Sequence, residues 1–393
     1  MNLCWITFDD VTKKNVRVIS IKNRVKYFPK HWKITIISPS VIEDKELKSY
    51  ITKNIAIGER IYSANFKSPT MLLKLIKNLK RISKEIENFD LILTDTIYVP
   101  FYKYFSKKKI PLVMLSHGIV SEEALIKNLI KDCITYRSLR IIEKNAYKKC
   151  DKIITVTDGI KEYLINEFYI DSSKITVIPN AVDPDLFKPF DKKKCITGLK
   201  LNENNYYVCF IGQLVPWQGI ENLVKAAALI LRDRANTTFL VVGDGPLKKK
   251  LVNLTVKNNI SDKFIFTGMV PHNEIPKYIN ASDICVAPFV KERNEKIGLS
   301  PLKIFEYAAC GKPIVVSKIS NLEFIEETNA GVMVEPEKPE EIRRAIIDLF
   351  KNPKLQKKMG KNGRDYILKN FTWAGLAKQF EKVCMDAIKH KNN

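Results

Sequence analysis

Lys303 and Glu306 stand in the segment GLSPLKIFEYAACGKPIVVS, residues 298–317. Ser300 is a good helix N-cap, and Pro301 sits where a first helical residue tolerates proline. Leu302, Phe305 and Ala309 share a face at helical spacing, and Gly311 with Pro313 closes the helix. Pro-Ile-Val-Val then reads as a short buried strand. Residues three apart lie on one side of a helix, which brings Lys303 and Glu306 together near its start. A helix N-terminus beside an ammonium group suits an anion. A carboxylate one turn deeper can accept hydrogen bonds from hydroxyls, and phosphate beside a diol is the outline of a nucleotide. The plainer alternative is a solvated helix face that happens to carry both charges.

The elements that must position these residues follow from the hydrophobic pattern. Short apolar runs at Leu3–Phe8, Ile34–Ser38, Leu91–Thr94, Leu112–Ser116, Ile153–Val156 and Thr176–Ile178 predict strands. Val18, Ile21, Val25 and Phe28 keep helical spacing and predict a helix over 16–28. A second series predicts strands at Tyr206–Ile211, Thr238–Val242, Phe264–Phe266, Ile284–Ala287 and Ile314–Val316. Alternation of strand with helix implies parallel sheets covered on both faces. Two series separated by a proline- and lysine-rich break near 184–205 imply two doubly wound domains. Such sheets bind ligands beyond the carboxyl ends of their strands. Gly212, the run Gly243-Asp244-Gly245-Pro246, Gly268 and Pro288-Phe289 all fall there.

The composition is that of a globular protein, with 45% apolar residues in 393. The formal charge of +23 is spread through both halves. It favours phosphate-bearing ligands, an anionic membrane surface or nucleic acid, although a lysine-rich proteome gives the same bias. Eight cysteines are scattered with no C-x-x-C pair, which points to reduced structural thiols and a cytoplasmic setting. The opening run reads as a strand and not as a signal peptide, and no uncharged apolar stretch is long enough to span a membrane.

FIGQLVPWQGIENLVKAA (210–227), VVGDGP (241–246), FTGMVPHNEIPKYINASDICVAPF (266–289) and GLSPLKIFEYAACGKP together resemble the family 4 retaining glycosyltransferases of the GT-B fold, in order and spacing. The first half is similar more loosely, through His117-Gly118, EKNAYKKCDKIITVTDGIKEYL (143–164) and IPNAVDPDLFKP (178–189). The resemblance implies two Rossmann-like domains facing a central cleft. These are an acceptor-binding domain over 1–187 and a donor-binding domain over 188–371, with 372–393 crossing back as a terminal helix. It implies transfer of a sugar from a nucleotide diphosphate sugar with retention, no required metal and no other cofactor. The acceptor class is a glycan, a lipid-linked sugar or a small molecule.

By the same resemblance, Lys303 and the amides of Gly298, Leu299 and Ser300 would face the diphosphate. Gln213 and Gln218 would add donors beside Gly212 and Gly243. Glu306 would hold the ribose, Met269 and Val270 would flank the base, and His117 would face the donor sugar. His117, Lys303 and Glu306 are thus the candidate catalytic residues. Asp183-Pro184-Asp185 has a metal-binding spacing but resembles the family's turn.

The sequence departs from the family at three places. Gln213 and Gln218 replace a basic pair, so the cation sits on the helix as Lys303. Gly298 replaces the first acid of the E-x7-E pattern. Asp9-Asp10-Val11-Thr12 replaces a glycine-rich loop. These losses also fit a degenerate binding or assembly subunit. A nucleotide-sugar epimerase lacks this motif order, and no nucleic-acid module or G-x-G-x-x-G motif supports the remaining rivals. Separately, Leu72, Leu75, Ile76, Leu79, Ile82 and Ile86 form an apolar stripe in 71–89 among lysines. That stripe either packs on the first sheet or rests peripherally on anionic lipid.

Overall fold

The computed structural model describes the chain except residues 10, 13–15, 58–68, 127, 128, 131, 300, 301 and 393. It falls into two compact units, Met1–Pro179 with Leu376–Asn393, and Asn180–Gly375.

The first unit is built on a seven-stranded parallel sheet. Its strands are β1 (Asn2–Ile6), β2 (Lys33–Ser38), β3 (Lys53–Ala56), β4 (Leu91–Thr94), β5 (Leu112–Ser116), β6 (Lys152–Thr155) and β7 (Ile175–Val177). Their order is β3-β2-β1-β4-β5-β6-β7, so the winding reverses between β1 and β4. The second unit carries β8 (Tyr206–Ile211), β9 (Thr237–Val242), β10 (Phe264–Gly268), β11 (Ile284–Ala287), β12 (Ile314–Ser317) and β13 (Gly331–Val334). Its order is β10-β9-β8-β11-β12-β13, with the reversal between β8 and β11. The central strands are apolar on both faces because helices cover both, as in β9, where all six residues are buried.

The helix Val16–Lys26 and the strand series form as the pattern predicts, and two edge strands, β3 and β13, add to it. The units divide at Pro179/Asn180 rather than at Phe187/Lys188. Val182 exchanges backbone hydrogen bonds with Phe371 and Trp373, and Phe187 is buried in the second core, so this turn packs with the second unit. The terminal helix Trp373–Asn392 belongs to the first unit from Leu376 onward. There Phe380 stacks on Trp5 at 6.3 Å between ring centres, and Cys384 is buried.

Candidate functional site

The site of the second unit forms where its sheet order reverses. The helix Leu302–Ala309 is buried almost all round, so the solvated-face alternative does not hold: Lys303 is 9% exposed and Glu306 6%. Tyr307 fixes this helix against β8, its hydroxyl accepting the Ile211 amide at 2.7 Å. One turn earlier on the same side, the Lys303 ammonium donates to Gln218 Oε1 at 2.5 Å. It also lies 4.0 Å from the ring centre of Phe210, on β8, and 5.4 Å from that of Phe289, just after β11. Burial pushes the Lys303 proton affinity down to about 7, against the opposing pull of Glu306 and Cys209. This cation is held by rings and an amide, which solvate it less well than water does.

Backbone approach around the ammonium requires glycine. Gly212 has φ +139°, and a Cβ there would fall 2.6 Å from Lys303 Nζ. Gly243 has φ +133°, and its Cβ would collide with the Gly212 carbonyl. The two loops are tied by the Gly212 amide donating to Val242 O at 2.9 Å and the Gly243 amide to Gly268 O at 2.9 Å. Glu306 Oε1 lies 3.0 Å from His272 Nε2, whose ring packs edge-on against Phe187 at 5.2 Å. His272 is a site residue that the sequence reasoning missed. Its only signal is a histidine just after the glycine that ends β10, in a short 3₁₀ turn over His272–Glu274. An ammonium, a carboxylate and glycine-opened backbone thus converge at one strand end, a set suited to an anion beside hydroxyls.

The remaining sequence candidates are placed unequally. Gln218 is brought to Lys303, whereas the side chain of Gln213 is exposed. Gly298 takes a left-handed φ of +67°, and Leu299 is buried in the core below the helix. Ser300, like Pro301 and Asp10, lies outside the described residues. The C-terminal end of the helix follows the sequence reading: Gly311, at φ +70°, donates its amide to Ala308 O at 2.8 Å. Val270 packs against the core half-buried, but Met269 is 76% exposed. Asp183 shapes a turn, its Oδ1 accepting the Asp185 amide at 3.0 Å. Among the described residues no cluster of three or more His, Cys, Asp or Glu is placed to hold a metal.

In the first unit, β5 delivers His117 and Gly118 to the lining of a small surface pocket. Asp95, Ile97, Glu123 and Tyr147 line it with them. The apolar stripe of the basic helix, seen here as Pro69–Glu85, packs only partly: Leu79, Ile82 and Ile86 are buried, while Leu72 is 59% exposed. Leu73 beside it is likewise exposed, and no helix among the described residues is long and apolar enough to cross a membrane. All eight cysteines are free, and only Cys133 is exposed.

The family model described as glycosyl transferases group 1 matches residues 191–366, and that of glycosyltransferase family 4 matches residues 19–186. An uncharacterized glycosyltransferase of Methanocaldococcus jannaschii is 27% identical over 376 residues, covering 93% of this chain and 94% of that protein. The UDP-Gal:alpha-D-GlcNAc-diphosphoundecaprenol alpha-1,3-galactosyltransferase of Escherichia coli is 28% identical over 331 residues, covering 81% and 80%. HepE of Anabaena, solved in complex with UDP, shares the fold with a TM-score of 0.75 at 18% identity, over 98% of this chain and 100% of that one.

Proposed function

Because this chain belongs to the group 1 glycosyltransferases and is a transferase with two Rossmann-like units of the GT-B type, we propose that it moves a sugar from a nucleotide diphosphate sugar to a hydroxyl of a glycan, lipid-linked or small-molecule acceptor. The reaction we propose retains the configuration at the anomeric carbon and requires no metal. The observation that carries the donor reading is the convergence of Lys303, Gly212, Gly243 and Glu306 at the β8/β11 reversal.

On this reading the nucleoside diphosphate is the leaving group, and its growing charge needs fixed donors. Lys303 supplies the cation, and the glycine turns let backbone amides approach the phosphates. Glu306 accepts hydrogen bonds from the ribose hydroxyls, with His272 orienting the carboxylate. His117 serves the sugar being transferred. A uridine donor is the first to test, because the galactosyltransferase relative is named for a UDP-sugar and the HepE neighbour was solved with UDP. The exposed Leu72 and Leu73, among the lysines of the helix Pro69–Glu85, fit a protein that visits an anionic membrane to reach a lipid-linked acceptor.

The test is thermal denaturation with UDP, GDP, ADP and CMP and their sugar conjugates, on wild type and Glu306→Ala. A ligand at about 100 times its Kd stabilises by about 2.7 kcal/mol. One nucleobase should raise the melting temperature of wild type and leave Glu306→Ala unmoved. No shift with any nucleotide in a folded sample would overturn the donor site.

A further inference from the structure

The loop that carries His117, and the first turn of the helix Val120–Ile126 that follows it, are gripped by one face of the helix Cys133–Lys148. Glu143, fully buried, takes the Val120 amide on Oε1 at 2.7 Å and the Ser121 amide on Oε2 at 2.9 Å. One turn on, the Tyr147 hydroxyl lies 2.7 Å from Ser116 Oγ, and Ser116 Oγ donates to Gly118 O at 3.0 Å. Ser116 has one proton, which goes to Gly118, so Tyr147 is the donor to Ser116. Residues 116 and 118, on either side of His117, are thereby tied to Tyr147, and the two amides that follow are tied to Glu143. Toward the other end of the same face, Tyr136 donates to Glu122 Oε1 at 2.7 Å, and Arg140 lies 3.5 Å from the same oxygen. Tyr136, Arg140, Glu143 and Tyr147 follow helical spacing, so one rigid element sets the whole segment.

We infer that Glu143, with Tyr147, is a positioning residue for His117, holding the backbone on both sides of the imidazole so that the ring stands at one orientation in the pocket lining. Both carboxylate oxygens are committed to backbone amides, and the group is sealed from solvent. Its chemistry is therefore exerted through the loop and not on a ligand. Misplacing a reacting group by about 1 Å can cost about a hundredfold in rate. The inference rests on the reading of His117 as a group that serves the transferred sugar.

Glu143→Gln tests it, because the amide keeps the shape but turns a donor toward one of the two backbone amides. Tyr147→Phe is the milder companion, removing one hydroxyl from the Ser116–Gly118 tie. The first readout is the nitrogen spectrum of the imidazoles in each folded variant; the chain has four histidines, and His117→Asn identifies the signal. The tautomer balance or titration midpoint of His117 should move in both variants while that of His272, in the second unit, stays fixed. The second readout is turnover, expected to fall between about tenfold and about a hundredfold with nucleotide affinity unchanged. Unchanged His117 signals, or turnover within about twofold of wild type in a folded Glu143→Gln, would overturn the inference. Should Glu143→Gln not fold, the same outcomes in Tyr147→Phe decide. Loss of nucleotide binding by wild type itself would instead overturn the transferase donor reading, and the imidazole spectra would still judge the positioning.

Discussion

Replacing Lys303 by methionine removes a buried charge from the second unit, and the structure fixes the sign of the effect. In the folded chain Lys303 loses its proton near pH 7, against an ordinary value of 10.5. Below pH 7 both folded and unfolded states carry the charge, and its burial weighs fully against folding. Between about pH 7 and 10.5 the unfolded chain binds the proton and the folded chain does not, so stability rises with pH through that window. At about 1.4 kcal/mol per tenfold in proton affinity, the whole window is worth about 5 kcal/mol. From about pH 6 to about pH 8.5 the share is about 2 kcal/mol. The thioether of the Lys303→Met variant cannot titrate, so the wild-type disadvantage should shrink by that amount over the same interval. The assay is urea unfolding of both proteins at the two pH values, extrapolated to water. Groups remote from Lys303 cancel in the difference. Parallel pH curves for wild type and Lys303→Met would refute the reasoning, since they would mean that the ammonium is solvated well enough to keep its ordinary affinity.

The same charge should appear in binding. Near pH 8 most free protein holds Lys303 neutral, so a nucleoside diphosphate placed against it should draw in close to one proton, read by calorimetry in two buffers of different ionisation heat; zero uptake would move the diphosphate away from Lys303. His117→Ala should leave nucleotide affinity within about twofold of wild type, because the donor residues all lie in the second unit, while lowering transfer by about a hundredfold or more; equal transfer rates would remove the histidine from the reaction. Wild type should sediment with anionic liposomes at low salt and be released at high salt, and Leu72→Ser/Leu73→Ser should weaken this at least severalfold; no sedimentation at low salt would remove the membrane contact.

The parallel sheets are legible in the sequence because their central strands are buried on both faces and so read as unbroken apolar runs. The two strands absent from that reading lie at sheet edges, where the pattern weakens. β3 is KNIA, with one residue exposed and the rest half-buried, and β13 is a four-residue strand next to a helix-rich C-terminal stretch. Lys303 and Glu306 are legible because a helix start encodes its own spacing. Their partners are not, since Gln218 is 85 residues from Lys303 and His272 is 34 from Glu306. Such pairings arise only when the sheet reverses and brings two loops together. Gln213 matches the motif as closely as Gln218 does, yet its side chain turns outward while that of Gln218 meets the ammonium. A linear motif records residue type and spacing but not the direction a side chain takes from the loop. The clamp on the His117 loop shows the converse. Tyr136, Arg140, Glu143 and Tyr147 have a plain helical period, but the period is polar, and a polar period reads as surface until the amides it caps are known.

The distribution of thiols turns the two units into separate clocks of their own opening. A thiol-specific reagent at neutral pH meets Cys133 alone in the native chain. Burial pushes the pKa of Cys150 up to about 12 and those of Cys4, Cys310 and Cys384 further still, so those sulfurs are closed both sterically and chemically. Cys4, Cys150 and Cys384 become reactive only when the first unit opens. Cys195, Cys209, Cys285 and Cys310 become reactive only when the second does. A timed pulse of alkylation, read peptide by peptide, therefore yields an opening free energy for each unit in the unaltered protein. Repeating the pulse with nucleotide present would show which clock slows.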